Sequence, residues 1–436
     1  MKSKLVSTLC IMLLSSVLIG CTATSPTATS PTAGQPPAAE GLSGRLTVLT
    51  NRTDLVDNVF QEYVAQFNAI HPDVEVIFEA ITNYENDVAI RLGTREYGDV
   101  LLIPNSLPNN EFGYFFEPLG TVADMSQRYD FITAKIHDGI VYGIPASANA
   151  NGIVYNKRIF AEAGITELPK TPDEFLAALR LIQENTDAIP YYTNFAAGWP
   201  LTQWQDHAWG SVTGDPDYQN NIMVRQRDPF APGTSNYIVN RLMYDIVAMN
   251  LNEADPVTTD WEQSKVMMNN GEIATMVLGS WAISQMQEAG PNADDIGYMA
   301  FPFNINGRQF ATASADYCYA INIHSNNKEA ARAWIDFMVH DSGFALSQGS
   351  ISAVKGSELP ATLADFRGIE YVVSNPATPE NEGRFDELSN ESEIGLYAEP
   401  EKRRIVEAAM GSRNESFDDI MNDWNVRWNR VLDQMD

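Results

Sequence analysis

The sequence predicts an α/β fold built on parallel sheet and split into two domains. Three observations carry this. Just after residue 42, patterns typical of a strand, a helix, a strand, a helix and a strand follow one another, an order that requires crossover helices between parallel strands. Strand and helix patterns keep alternating as far as Ile323. The folded part is also roughly 390 residues long, more than a single core usually grows to.

Lys2 and Lys4 precede an apolar run from Leu5 to Ile19, the charged and greasy regions of an export signal. The run is too short for a spanning helix, which takes roughly 20 apolar residues, so residues 1–20 read as a cleaved leader. "LIGC" ends this run at Cys21, and residues 22–42 are Thr, Ser, Pro, Ala and Gly, with "TATSP" occurring twice. Such a composition cannot bury enough apolar area to offset its ordering entropy and reads as a tether. With Cys10 in the leader and Cys21 at the seam, Cys318 is alone in the body of the chain; it reads as a buried small hydrophobe.

From Arg45, "RLTVLT" is a short buried strand. Leu55, Val56, Val59, Phe60, Val64 and Phe67 then fall at helical spacing up to His71-Pro72. "VEVIFEA" alternates as a strand does, and "DVLLIP" is a continuous apolar strand. "VYGIPASANANGIVYNK" reads as two short strands separated by small and amide residues, Ala146 to Gly152, a crossing between domains. Thr171 and Glu174 form a capping box with Pro172 at the first helical position. Further helices are expected at 236–249, 261–268 with Gly271 as stop, and 327–340, and strands at 273–278, 296–300 and 317–323. "SNPATPENEGRFDELSNESE" reads as an exposed insertion, and helices over 401–409 and 416–435 close the chain.

The chain holds 28 basic and 57 acidic residues, a formal charge of −29, which argues against a nucleic-acid partner. There is no G-x-S-x-G, phosphate-loop, G-x-G-x-x-G or H-E-x-x-H motif, and the five histidines are scattered. No cofactor and no metal site is therefore expected. What stands out is polar and aromatic residues beyond predicted strand ends, where open parallel sheets bind ligands: Asn51, Arg52 and Asp54 after the first strand, Asn105 and Ser106 after "DVLLIP", Trp281 in "LGSWA", and Trp199 and Trp204 in a Gly- and Pro-punctuated loop. Indole faces cover the apolar faces of a pyranose while Asn, Asp and Arg bond its hydroxyls; the alternative for each tryptophan is a core position. Trp261 and Trp334, on apolar helix faces, are assigned to packing.

Several segments carry a family resemblance: "YGIPASANANGIVYNKRIFAEAGI" with "PKTPDEFLAAL", "GEIATMVLGSWAISQMQEAGPNADDIGYMAFP", and "DYCYAINIHSNNKEAARAWIDFMV". With them the chain resembles the extracellular solute-binding proteins of ABC importers, in the sugar-binding, maltose-binding-protein-like family. "LIGC" resembles a bacterial lipobox. The resemblance implies a two-lobed periplasmic-binding-protein-like α/β fold with a hinge and an interlobe cleft: residues 43–148 plus 316–346 as the first lobe and 149–315 plus 347–436 as the second. It implies a monomer that takes a mono- or oligosaccharide, performs no catalysis, delivers to a permease, and is held outside the cytoplasmic membrane by lipid on Cys21. Carried over by motif, the binding residues are Asn51, Arg52, Asp54, Asn105, Ser106, Asn149, Trp199, Trp281, Asp316 and Tyr317. Asn149 and Ser106 stand where maltose-type binders carry acids, and Ile103 replaces an aromatic, which argues against a maltodextrin-specific site. A polyamine or other small polar solute in the same clamp, or an exported glycosidase lipoprotein, are the alternative readings.

Overall fold

The computed structural model describes residues 41–366 and 368–435; the leader and Cys21 lie outside the described residues. β1 (Ser43–Thr50) pairs in parallel with β2 (Asp73–Ala80), residue for residue from Ser43 opposite Asp73 to Thr50 opposite Ala80. Between them the helix Val59–Ile70 packs Phe60, Tyr63 and Phe67 inward. Its first turn starts at the Asn58 cap, so Leu55 and Val56, at helical spacing in the sequence, lie in the preceding turn. The helix Tyr84–Leu92 leads to β3 (Val100–Leu102), also parallel to β1.

The chain next forms a small three-stranded sheet from β4 (Gly120–Thr121), β5 (Ile136–His137) and β6 (Ile140–Val141). It returns to the first sheet as β7 (Ile144–Pro145). Two residues later β8 (Ala148–Asn156) begins, and β8 belongs to another sheet. Of Ala146 to Gly152, expected to separate two strands, only Ala146 and Ser147 do so; Ala148 to Gly152 are the first half of β8. Small residues are needed there because all nine positions of the strand are buried and it has neighbours on both edges: a Cβ on Gly152 would stand 2.5 Å from the Met299 carbonyl oxygen.

β8 pairs antiparallel with β9 (Thr275–Gly279), β10 (Ile296–Met299) and β11 (Phe310–Ala315). From Ala315 the chain recrosses to the first sheet as β12 (Cys318–Ile321), antiparallel to β3 and β7, giving the order β2-β1-β3-β12-β7. The first sheet is thus parallel in its first three strands and mixed overall. A third passage follows the helix Lys328–His340, where Ile351 exchanges backbone hydrogen bonds with Ala148. β13 (Glu370–Val372) extends the second sheet beside β11.

The first sheet and its helices enclose one core, with Phe67, Tyr97, Phe112 and Trp334 fully buried. A second core gathers β8, the helices Pro172–Asn185, Ser235–Ala248, Glu399–Ala409 and Phe417–Met435, and the rings of Trp204, Phe230, Trp424 and Trp428. Residues 374–393, expected as an exposed insertion, contain the helix Arg384–Glu391 with Leu388 buried in this second core. With only Phe385 and Leu388 as apolar anchors in a polar stretch, the helix was hidden from periodicity. Among the described residues no helix is long and apolar enough to cross a membrane.

Candidate functional site

A cavity of about 950 Å³ lies where β1 ends and the chain passes between the two sheets. On one side, Asn51 to Asp54 turn away from the end of β1, with the Arg52 N–H bonded to Thr50 Oγ1 at 3.1 Å. The Arg52 guanidinium grips Asp54 with two hydrogen bonds, 2.9 and 2.7 Å. That bond is the main cause holding the Asp54 carboxyl below its usual value, so the pair stays ionised and presents a fixed fork of donors and acceptors.

Opposite, Trp281 follows β9 and leads into the helix Ala282–Glu288, whose Ser284, Gln285 and Glu288 also face the cavity. The indole folds back over Gly279, where a Cβ would stand 2.5 Å from Nε1; only glycine leaves room for it. Behind Trp281 stand Trp199, at a ring-centroid distance of 5.7 Å, and Trp261, at 5.9 Å, which meet each other edge to face at 4.9 Å. The Lys265 ammonium lies 5.3 Å over the Trp261 ring and pairs with Glu262 at 2.7 Å. Lys265 and Glu262 line the cavity, so Trp261, read from sequence as packing, supports its wall.

The crossing segments form the floor. Asp316 opens onto the cavity, yet the protein crowded around it raises its carboxyl pKa, against the opposing pull of the Tyr317 N–H at 2.8 Å and the Asn149 amide at 3.2 Å. Asn149 ties the passages together: its Nδ2 donates to Asp316, while its Oδ1 accepts from Ser280 Oγ at 3.3 Å and Ser350 Oγ at 3.4 Å. One buried amide thus touches all three crossings and the strand end that carries Trp281. Tyr317 and Tyr319 complete the floor.

Of the residues expected from sequence, Asn51, Arg52, Asp54, Trp281, Asp316 and Tyr317 line this one cavity. Asn149 stands beneath it and Trp199 behind Trp281. Asn105 and Ser106 turn their backbone N–H groups to the Glu85 carboxylate, one step from the wall. Sequence reasoning missed Glu262, Lys265, Gln285, Glu288, Tyr319 and Gln348. The helical spacing of Trp281, Gln285 and Glu288 was a usable signal for two of them; the others come from distant segments that only the fold assembles.

The cavity walls offer bonding and stacking groups of both polarities and a ring face. Cys318, close by, is buried and its thiol is pushed up to about 12, so it stays protonated and unreactive. Among the described residues no group of three or more His, Cys, Asp or Glu side chains is placed to hold a metal ion. A second cavity, of about 660 Å³, borders Ala313 to Ala315 and residues 131–139 and 373–386.

Comparison with known proteins places this geometry. The model of the bacterial extracellular solute-binding protein family matches residues 53–343. A multiple sugar-binding protein of Streptococcus mutans is 24% identical over 298 residues, which cover 66% of this chain and 69% of that protein. Two solved structures from Bifidobacterium animalis subsp. lactis are 37% identical, each with a TM-score of 0.83 and covering 90% of this chain and 95% of the other. One is a manno-oligosaccharide-specific solute-binding protein in complex with mannotriose; the other is the binding protein of an ABC transporter in complex with mannobiose.

Proposed function

The chain belongs to the bacterial extracellular solute-binding protein family, and we propose that it captures a short manno-oligosaccharide, two to three sugars long, outside the cytoplasmic membrane and delivers it to an ABC permease. The observation that supports this most is the cavity of about 950 Å³ with Trp281 on one wall and the Arg52–Asp54 fork on the other. That volume is at the upper end of the 300–1,000 Å³ typical of ligand sites, which suits an oligosaccharide better than a single sugar. The choice of mannosides follows the ligands of the two 37% identical neighbours.

In this reading Trp281 covers an apolar ring face, and Asn51, Arg52, Asp54, Asp316 and Tyr317 bond hydroxyls. Asn149, Asn105, Ser106 and Trp199 support them from behind. Residues 43–148 with 316–346 and residues 149–315 with 347–436 act as two lobes joined by the crossings. A sugar bridging both binds the closed arrangement more tightly and so shifts the equilibrium toward it, with no bond made or broken. The protein acts as a monomer, and lipid on Cys21 keeps it beside its permease, where tethering raises its effective concentration.

A thermal-shift panel tests the reading, because a ligand that binds only the folded state raises its Tm. Mannobiose and mannotriose should raise it in a saturable way, with maltotriose and spermidine weaker. A rise with spermidine and none with any saccharide would instead favour a cation in the same cavity.

A further inference from the structure

Glu85 lies outside the cavity, in the first turn of the helix Tyr84–Leu92, yet its carboxylate joins Tyr317 on the wall to the turn after β3 just behind it. Its Oε1 accepts the Tyr317 O–H at 2.6 Å. Both its oxygens accept the Asn105 N–H, at 2.9 and 3.1 Å, and Oε2 reaches the Ser106 N–H at 3.4 Å. The preceding residue works on the same strand end: the Tyr84 hydroxyl accepts the Leu102 N–H at 2.7 Å, and its ring meets the Tyr317 ring edge to face at 5.8 Å. Leu102 and Tyr317 both face the cavity.

We propose that Glu85 is a positioning residue for ligand recognition, fixing the Tyr317 ring and the turn after β3 and setting the hydrogen-bond polarity of the Tyr317 hydroxyl. A phenol has one proton to give. With that proton committed to Glu85, the phenol oxygen can only accept, so any ligand hydroxyl that meets it must be a donor. The carboxylate is suited to this because every neighbour it meets is a donor: the Tyr317 O–H, the Ser106 O–H at 3.4 Å, and two backbone N–H groups. A carboxamide cannot serve all four. Either its NH₂ confronts the Asn105 N–H, or it turns toward Tyr317, donates to the phenol and occupies the lone pair the ligand needs.

This inference rests on the proposed sugar-binding role, but its test has a readout that needs no ligand. Wild type, Glu85→Gln, Tyr317→Phe and the double variant are compared by mannotriose titration, and Glu85→Gln is crystallised without ligand. Glu85→Gln should displace the Tyr317 ring or the 103–106 turn and weaken mannotriose binding at least tenfold. The double variant should bind no more weakly than the worse single variant, since Glu85 acts through Tyr317. An unmoved ring and turn with wild-type affinity would overturn the proposal, as would losses that simply add. If wild type ignores mannotriose while Glu85→Gln still displaces Tyr317, the positioning role stands and the sugar assignment falls.

Discussion

Trp281 and Gly279 are a coupled pair. The indole occupies the space a side chain at 279 would need, so Gly279→Ala should push the ring off the cavity wall and weaken sugar binding about as much as Trp281→Ala does. Covering an apolar side chain of this size is worth on the order of 1.5–3 kcal/mol, which sets the expected loss at tenfold or more in either variant, read by isothermal titration. Both variants should keep a near-wild-type Tm, because Trp281 is only half-buried. Asn149 acts differently. Its amide bonds Asp316, Ser280 and Ser350 at once, and Asn149→Ala removes one hydrogen bond from each of these buried or cavity-floor groups, at about 1–3 kcal/mol. A loss of both Tm and affinity is expected there.

At the scale of elements, what the sequence could reveal depended on how local the signal was. The Thr171 cap was legible because all its parts lie within four residues: Thr171 Oγ1 accepts the Glu174 N–H at 3.2 Å, and the Glu174 carboxylate reaches back to the Lys170 N–H at 2.7 Å. Thr171→Ala should lower unfolding stability by about 1 kcal/mol in urea titration. The helix 384–391 was not legible, since Phe385 and Leu388 are its only apolar residues and its other buried positions, Arg384 and Ser389, are polar, nor was β11, whose "FATASA" carries little strand signal without its partners β8 and β13. The site divides the same way. Residues just past strand ends, such as Asn51 and Trp281, could be found by position alone, whereas Glu85, Lys265 and Gln348 reach the site through folding. The broken helical segment 204–211 gives a pH test. Burial depresses the His207 imidazole to about 3, against about 6.5 when unfolded. The unfolded chain therefore binds the extra proton between these values, so stability rises with pH across that window and is lost as pH falls from 6.5 toward 3. Asp206, raised by burial to about 7, opposes this over much of the same range. Comparing wild type with His207→Gln isolates the histidine: the variant's Tm should fall less steeply between pH 6.5 and 4.

For the molecule as a whole, three crossings meet at one amide beside the cavity. Two of them are short: two residues separate β7 from β8 and two separate β11 from β12. On the proposed function, such brief joints would confine lobe motion to rotation about the crossings and so couple binding to shape. A chain with a net charge of −29 also repels copies of itself, which supports the monomer proposed above. On the proposed function, an oligosaccharide lies against Trp281 in this cavity. This is tested most directly by titrating mannotriose calorimetrically into the wild-type protein and into Trp281→Ala under the same conditions. One molecule bound per chain, with affinity at least tenfold weaker in the variant, is the predicted result; undiminished affinity in Trp281→Ala, or no heat from wild type, would contradict it.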